Sequence, residues 1–272
     1  MHRTLNVLIA IVGIYFFFLI LIYVFQRQLT YLPSPAVSTP EQAGVPEMEI
    51  VELHTADGLT LNAWYRSPTR PFKPTIVFFH GNAGHIGNRG LIARPFLDTG
   101  YGFLLVTYRG YSGNPGSPSE EGLYNDGRAA IKFLEQKNTP LSCIVLYGNS
   151  IGTAVAVQLA TEYPVAALVL QSSLTSLTDV ARYHYRIFTF ETLVKDKFAS
   201  IDKVANLDLP IFLLHGEDDR IIPPKLSRRI YEKIKEPKQL LIVPSRGHNT
   251  LFEPEAVIQF IQEHVKCQQS DS

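Results

Sequence analysis

Cysteine is scarce in this chain, and its sequence has no metal-ligand spacing. The 272 residues include two cysteines, Cys143 in a predicted strand and Cys267 in the polar tail, and these do not form the pattern of a disulfide framework. No pair of cysteines or histidines has the spacing of a zinc site. A phosphate-binding loop of the G-x-x-x-x-G-K type is also missing. We therefore predict neither a metal ion nor any other cofactor.

Charge is also sparse. Charged residues make up 18% of the chain, and 25 basic residues balance 25 acidic ones. A protein that binds nucleic acid usually concentrates positive charge on one face, so nucleic acid is not an expected partner. The length suits one large α/β domain with a well-filled core, which we prefer to two small domains. The oligomeric state stays open.

The first segment of the chain is apolar enough to cross a membrane. Residues 5–25 carry no charge, and as a helix these 21 residues would span the roughly 30 Å of a bilayer core. A secretory signal is the alternative, but its apolar run is usually shorter and ends at a small-x-small site, whereas this run ends in YVFQR. We predict an uncleaved single-pass anchor over residues 1–29. Arg3 and Arg27 flank it almost symmetrically, and we take as our expectation the orientation with the C-terminal domain on the non-cytoplasmic side.

A proline-rich stretch follows the anchor. Residues 30–47 combine four prolines with serine and threonine, a composition that resists helix formation. We predict an extended tether here and a folded domain over residues 48–268.

The pattern of this domain is typical of an α/β fold. Two apolar runs flank Asp57-Gly58 and predict an antiparallel hairpin. Further strand-like runs, rich in β-branched and aromatic residues, alternate with helix-length stretches at 75–79, 103–108, 143–147, 167–170, 211–214 and 240–243. Such runs are buried on both faces, so we predict a mostly parallel sheet with helices on each side.

The alternation lapses between residues 174 and 209, where the chain is rich in aromatic residues. An insertion of this length in a strand-helix fold is most often a cap over the site. We predict a small cap insertion there, with Phe188 and Phe190 as the rings that contact an apolar substrate.

The segment Gly148-Asn149-Ser150-Ile151-Gly152 fits the G-x-S-x-G motif. A predicted strand precedes it and an alanine-rich helical segment follows it, as in the sharp strand-to-helix turn that exposes a nucleophilic serine. We predict Ser150 as the nucleophile. The alternative is a glycine-lined turn without chemistry.

A serine hydroxyl needs a base within hydrogen-bond reach, and the base needs an acid to orient it. His248 follows the last predicted strand in a short loop and is the predicted base, with His85 as a second candidate. Asp219 follows the strand at 211–214 and is the predicted acid, with Asp218 as the alternative. Serine, acid and histidine then occur in the chain order of an α/β-hydrolase triad.

Acyl transfer also needs hydrogen-bond donors for the oxyanion. We predict the backbone N–H groups of Asn82 and Ile151, since Gly81 lets the first loop approach closely. The alternative is an ordinary glycine-rich loop.

Five segments together, HGNAG, YRGYSG with PSEEG, GNSIG, HGEDDRIIP and RGHN, resemble the membrane-anchored α/β-hydrolase-domain serine hydrolases of bacteria and eukaryotes. The resemblance covers nearly everything after Met48. It implies the α/β-hydrolase fold, a triad of Ser150, Asp219 and His248, and a one-pass N-terminal anchor. Members include esterases and protein-deacylating thioesterases.

We therefore predict a membrane-anchored serine hydrolase that cleaves carboxylesters or thioesters through an acyl-Ser150 intermediate. Its expected substrate is a small-molecule or lipid-like ester. The alternatives are a serine peptidase or amidase on the same fold, and a catalytically silent membrane-tethered binding module.

Overall fold

The computed structural model describes residues 2–185 and 193–267. Phe188 and Phe190 lie outside the described residues. The α-helices in the described part of the chain are α1 (His2–Thr30), α2 (Gly90–Asp98), α3 (Glu120–Gln136), α4 (Gly152–Glu162), α5 (Leu177–His184), α6 (Pro224–Lys233) and α7 (Pro254–His264). Its strands are β1 (Leu32–Pro33), β2 (Glu49–His54), β3 (Thr60–Arg66), β4 (Thr75–Phe79), β5 (Ala83–Gly84), β6 (Gly102–Val106), β7 (Ile144–Asn149), β8 (Ala167–Gln171), β9 (Ile211–Gly216) and β10 (Lys238–Val243).

Eight strands form one sheet in the order β10-β9-β8-β7-β4-β6-β3-β2. The hairpin of β2 and β3 is antiparallel and joins β6 in an antiparallel pair, whereas the other pairs in this sheet are parallel. The predicted mostly parallel sheet with an N-terminal hairpin is confirmed.

Helices cover both faces of this sheet, as the continuous apolar runs require. Every residue of β4, β6 and β8 is buried. One face packs against α3, α4 and α6, and the opposite face packs against α2 and α7. The apolar stripe of α3 lies in the first of these cores, with Leu123, Ala130, Ile131 and Leu134 all buried. The carboxyl ends of the parallel strands therefore share one edge, where the predicted site residues lie.

The segment 30–47 is packed on the domain, which corrects the prediction of an extended tether. Tyr31 and Val45 are buried, with 3% and 0% of their surface exposed. The strand β1 pairs with β5, and the Leu32 N–H donates to the Asn82 carbonyl at 2.9 Å. Prolines rule out a helix here, but the backbone and apolar side chains between them still find partners. The folded unit thus begins before Met48.

The two cysteines form a disulfide, which corrects the expectation from their positions in sequence. Cys143 immediately precedes β7, and the chain returns after α7 so that the Cys143 and Cys267 Cα atoms are 5.0 Å apart. The pairing spans 124 residues of sequence, so it depends on the completed fold and not on local spacing.

Arg109 joins the hairpin to α3 through two carboxylates. Its Nε donates to Asp126 at 2.8 Å, and its guanidinium nitrogens donate to the two oxygens of Asp57 at 2.6 and 3.0 Å. The Asp126 side chain is fully buried, and it also accepts from the Arg109 backbone N–H. Arg109 is therefore a structural residue, which ties a glycine-rich loop to two elements.

We expect Arg109→Ala to lower the free energy of unfolding by roughly 3–5 kcal/mol, because it leaves the buried Asp126 carboxylate without its cationic partner and with only the backbone N–H of residue 109. Arg128→Ala is the matched control, since Arg128 pairs with Glu121 and Glu162 near the surface and its loss should cost about 0–1 kcal/mol. Denaturant unfolding of both full-length variants in detergent measures the difference. Equal losses for the two variants would contradict the assignment.

Candidate active site

Ser150 lies in a sharp turn between β7 and α4. Its backbone has φ 55°, a left-handed conformation that is costly for serine and typical of functional turns. A Cβ at Gly148 would lie 2.5 Å from the Gly152 carbonyl oxygen, and one at Gly152 would lie 2.1 Å from the Phe79 carbonyl oxygen. Both positions therefore require glycine. The turn places the serine at the carboxyl edge of the sheet, beside the N-terminus of α4.

Three of the predicted site residues form one hydrogen-bonded chain. The Ser150 Oγ lies 3.1 Å from His248 Nε2, and His248 Nδ1 lies 2.7 Å from Asp219 Oδ2. With the imidazole proton on Nδ1, Nε2 is free to accept the serine proton. The second histidine candidate, His85, takes no part in these hydrogen bonds. Its Nδ1 lies 3.4 Å from the Ser38 hydroxyl.

Asp219, rather than Asp218, faces His248. Asp219 is buried and its Oδ1 accepts from the backbone N–H groups of Ile221 and Ile222 at 2.9 and 2.8 Å, whereas Asp218 is exposed. Burial alone would raise the pKa of the Asp219 carboxyl, but hydrogen bonds from His215, His248 and Ile222 outweigh burial and lower that pKa below its usual value. The carboxylate is therefore charged at neutral pH.

His215 is a buried neighbour of the acid that the sequence reasoning missed. Its Nε2 lies 3.1 Å from Asp219 Oδ2 and 2.8 Å from the Ile222 carbonyl, while its Nδ1 accepts from the Ser227 hydroxyl at 2.6 Å. The side chain is fully buried, so its N–H supports the Asp219 carboxylate from the protein interior. A signal existed in the sequence, because this histidine ends the strand that leads directly into the acid's turn.

The two predicted oxyanion donors lie close to Ser150. A Cβ at Gly81 would be 3.2 Å from the Ser150 Cβ, so the loop before Asn82 approaches the serine closely. The Asn82 carbonyl accepts from the Tyr111 hydroxyl at 2.7 Å and from the Leu32 N–H, which fixes the peptide groups of this loop. Ile151 lies at the start of α4, where backbone N–H groups have no partner within the helix.

An apolar cavity of about 560 Å³ opens from Ser150. Its volume is within the range of small-molecule sites. Asn82, Ser150 and Ile151 are among its lining residues. The remaining lining comes from the C-terminal half of α1, the insertion after β8 and the turn after β9, through Leu19, Ile22, Tyr23, Gln26, Leu29, Thr30, Leu174, Leu177, Val180, Ala181, His184, Tyr185, Leu193, Val194, Asp196, Ile221 and Ile222. The described part of the predicted cap therefore contacts the site.

No group of three or more histidine, cysteine or acidic side chains that could hold a metal occurs among residues 2–185 and 193–267.

A serine on a strand-to-helix turn, at the carboxyl edge of this mostly parallel sheet, defines the α/β-hydrolase class. Comparison with known proteins agrees. Residues 70–189 and 184–255 match the Hydrolase_4 family, described as serine aminopeptidase, S33. The chain belongs to this family of hydrolases.

Relatives with similar sequences span several kingdoms. An uncharacterized protein of Mycobacterium tuberculosis is 39% identical over 226 residues, which cover 82% of this chain and 80% of that protein. Protein bem46 of Schizosaccharomyces pombe is 34% identical, covering 75% of this chain and 73% of bem46. Lysophosphatidylserine lipase ABHD12 of Danio rerio is 27% identical, covering 93% of this chain and 77% of the lipase.

A solved structure shares the fold. The Pyrococcus furiosus esterase Pf2001 superposes with a TM-score of 0.70 at 20% identity, covering 86% of this chain and 99% of the esterase. The predicted α/β-hydrolase fold is confirmed by this likeness.

Proposed function

We propose that the protein is a serine hydrolase that cleaves carboxylesters or thioesters. The observation that carries the proposal is the set of hydrogen bonds that joins Ser150, His248 and Asp219, with Ser150 in the lining of an apolar cavity. Fluorophosphonate labelling, followed by turnover of an ester series of increasing acyl length, tests it.

Each residue has a distinct role in this mechanism. His248 Nε2 removes the proton from the Ser150 hydroxyl while the Ser150 Oγ bonds to the carbonyl carbon of the substrate. Asp219 stabilises the resulting imidazolium. The N–H groups of Asn82 and Ile151 donate to the oxyanion of the tetrahedral intermediate. His248 then protonates the departing alcohol or thiol, which leaves an acyl-Ser150. Water, deprotonated by His248, attacks the acyl carbon and releases the acid with the serine restored.

The substrate has an apolar acyl part. Leucine, isoleucine, valine and alanine side chains dominate the cavity around Ser150, and burial of an alkyl chain there is favourable at about 25 cal/mol per Å². A relative that is named a lysophosphatidylserine lipase supports a lipid-like ester as substrate. Phe188 and Phe190, the rings predicted to bind it, lie outside the described residues and stay predictions.

An aminopeptidase is the second candidate, because the matched family carries that description. Such an enzyme needs a negative group for the substrate's terminal ammonium. Asp196 lines the cavity, but its oxygens already accept hydrogen bonds from Arg27, Tyr31 and the Glu120 N–H. A carboxylate that is already paired with the Arg27 guanidinium binds a second cation poorly, so the site favours esters over peptides with a free amino terminus.

The intact hydrogen-bonded chain also argues against a silent binding module. Loss of either the serine or the histidine would be the simplest route to such a module, and both are present.

The anchor and its orientation belong to the same proposal. The helix α1 is long and apolar enough to cross a membrane, with a mean hydropathy of 3.0 over its best window, although a signal sequence has the same character. Disulfides persist in oxidising compartments and are rare in the cytosol. The Cys143–Cys267 disulfide therefore supports a hydrolase domain on the non-cytoplasmic side.

We expect a membrane-impermeant maleimide to leave the native protein unlabelled and to modify the partly exposed Cys267 after an impermeant reductant is added. This should occur in vesicles whose non-cytoplasmic face points outward, and in inverted vesicles only after detergent is added. Labelling without reductant would contradict the disulfide, and labelling of intact inverted vesicles alone would reverse the orientation.

A further inference from the structure

One face of the anchor helix lines the cavity that opens from Ser150. Its six lining residues follow helical spacing and so form a single stripe, Leu19, Ile22, Tyr23, Gln26, Leu29 and Thr30. Residues 3–18 of the same helix are exposed in the structure. The contact with the domain is therefore confined to the C-terminal part of α1.

Specific polar contacts hold this part of α1 to the insertion after β8. The Arg27 guanidinium donates to both oxygens of Asp196 at 2.9 and 3.1 Å, and the Tyr31 hydroxyl donates to Asp196 at 3.1 Å. The Gln26 side chain accepts from the Lys195 N–H at 2.7 Å and donates to the Leu193 carbonyl. Asp196 is 5% exposed, whereas the Arg27 side chain is 48% exposed, so only the carboxylate of this pair is buried. The paired hydrogen bonds from Arg27, with the bond from Tyr31, fix the position of the helix on the insertion.

The last turn of α1 is also tied to the predicted oxyanion loop. The Asn82 side-chain amide donates to the Thr30 carbonyl at 2.9 Å, and β1 continues from the helix into its pairing with β5. The end of the anchor is thus positioned beside Ser150 by the same loop that would bind the oxyanion.

The lining stripe continues into the part of the helix that would lie in the bilayer. Leu19, Ile22 and Tyr23 belong to the uncharged run of residues 5–25, whereas Gln26 and Thr30 lie beyond it. Leu19 precedes the end of this run by six residues, about 9 Å along the axis at ~1.5 Å per residue. If α1 spans the bilayer, the cavity wall would extend from the serine to the depth of the acyl chains of the adjacent leaflet.

We propose that α1 is a wall of the acyl-binding site as well as an anchor. The substrate is a membrane-resident fatty-acyl ester, whose chain lies along the stripe of α1 while its carbonyl reaches Ser150 from the leaflet. The opposite wall is the apolar face of the insertion, including Leu177, Val180 and Ala181. This inference rests on the proposed esterase function and names its substrate class and its distal specificity residues, Leu19 and Ile22.

Tryptophan substitutions on the two faces of α1 test the proposal. Leu19→Trp and Ile22→Trp fill the far end of the cavity, whereas Ile20→Trp and Val24→Trp are matched controls on the exposed face of the same helix. All four full-length proteins are assayed in mixed micelles with butyryl and palmitoyl esters of one chromogenic alcohol.

We expect the two cavity variants to lose about tenfold or more in kcat/KM for the palmitoyl ester and to stay within about twofold for the butyryl ester. The two control variants should match the unmodified protein on both esters. An unchanged palmitoyl rate in the cavity variants would overturn the proposal, as would equal losses on both esters, which would mean that α1 only supports the catalytic groups.

Fluorophosphonate labelling of the same variants separates this proposal from the esterase function. Retained labelling with an unchanged chain-length profile would leave Ser150 as the nucleophile and remove only the role of α1. Absence of labelling in the unmodified protein would instead remove the proposed function itself.

Discussion

Replacing Ser150 with alanine is expected to abolish ester turnover and fluorophosphonate labelling while the protein stays folded. The hydroxyl oxygen is the atom that bonds to the acyl group, so its removal leaves no covalent route. The backbone should tolerate the change, because alanine differs from serine only by that oxygen and the φ of 55° is equally costly for both. Labelling detected by in-gel fluorescence, together with a thermal unfolding curve, measures both parts of the expectation.

Ser245→Ala is the control for this variant. Ser245 is exposed, has φ 57° and lies three residues before His248 in the same loop, so a general disturbance of the site would affect both variants. It should label and turn over ester like the unmodified protein. Ester turnover by the Ser150→Ala variant at the rate of the unmodified protein would refute the covalent mechanism.

The sequence predicted the centre of the site because short segments encode it. Glycine is required at 148 and 152 because an added Cβ at either position would lie 2.5 Å or less from a backbone oxygen, so the motif itself specifies the turn. The buried strands could also be predicted from the sequence, because continuous apolar runs such as 75–79 match the observed β4 (Thr75–Phe79). Chain order then placed the candidate acid and base at neighbouring strand ends.

Contacts between residues far apart in sequence could not be predicted from the sequence. Arg27 and Asp196 are 169 positions apart, and nothing in the local sequence of either residue specifies the partner. The same holds for the disulfide and for β1, whose two residues are too few to show a strand period. Asp196 follows an aromatic-rich stretch whose composition predicts a cap. The ion pair of Asp196 with Arg27 of the anchor helix depends on the complete fold.

The acid of the triad provides the second large effect. We expect Asp219→Asn to lower kcat/KM by several orders of magnitude, since the equivalent change costs ~10⁴ in a serine protease. The asparagine oxygen can still accept from the Ile221 and Ile222 N–H groups, so the fold should persist. Its amide N–H₂ would then face His248 Nδ1, which would force the ring proton onto Nε2 and prevent that nitrogen from accepting the serine proton.

Asp218→Asn is the matched comparison, because it makes the same chemical change one residue away at an exposed position. Its backbone N–H already donates to the Arg246 carbonyl at 2.9 Å, and this bond survives the substitution. Steady-state kinetics should therefore find Asp218→Asn within about threefold of the unmodified enzyme, consistent with the small effects of surface changes. A greater loss in Asp218→Asn than in Asp219→Asn would show that the acid is misassigned. Equal and small losses would mean that His248 does not depend on a carboxylate, because the 2.7 Å contact from its Nδ1 to Asp219 would then have no role in orienting the base.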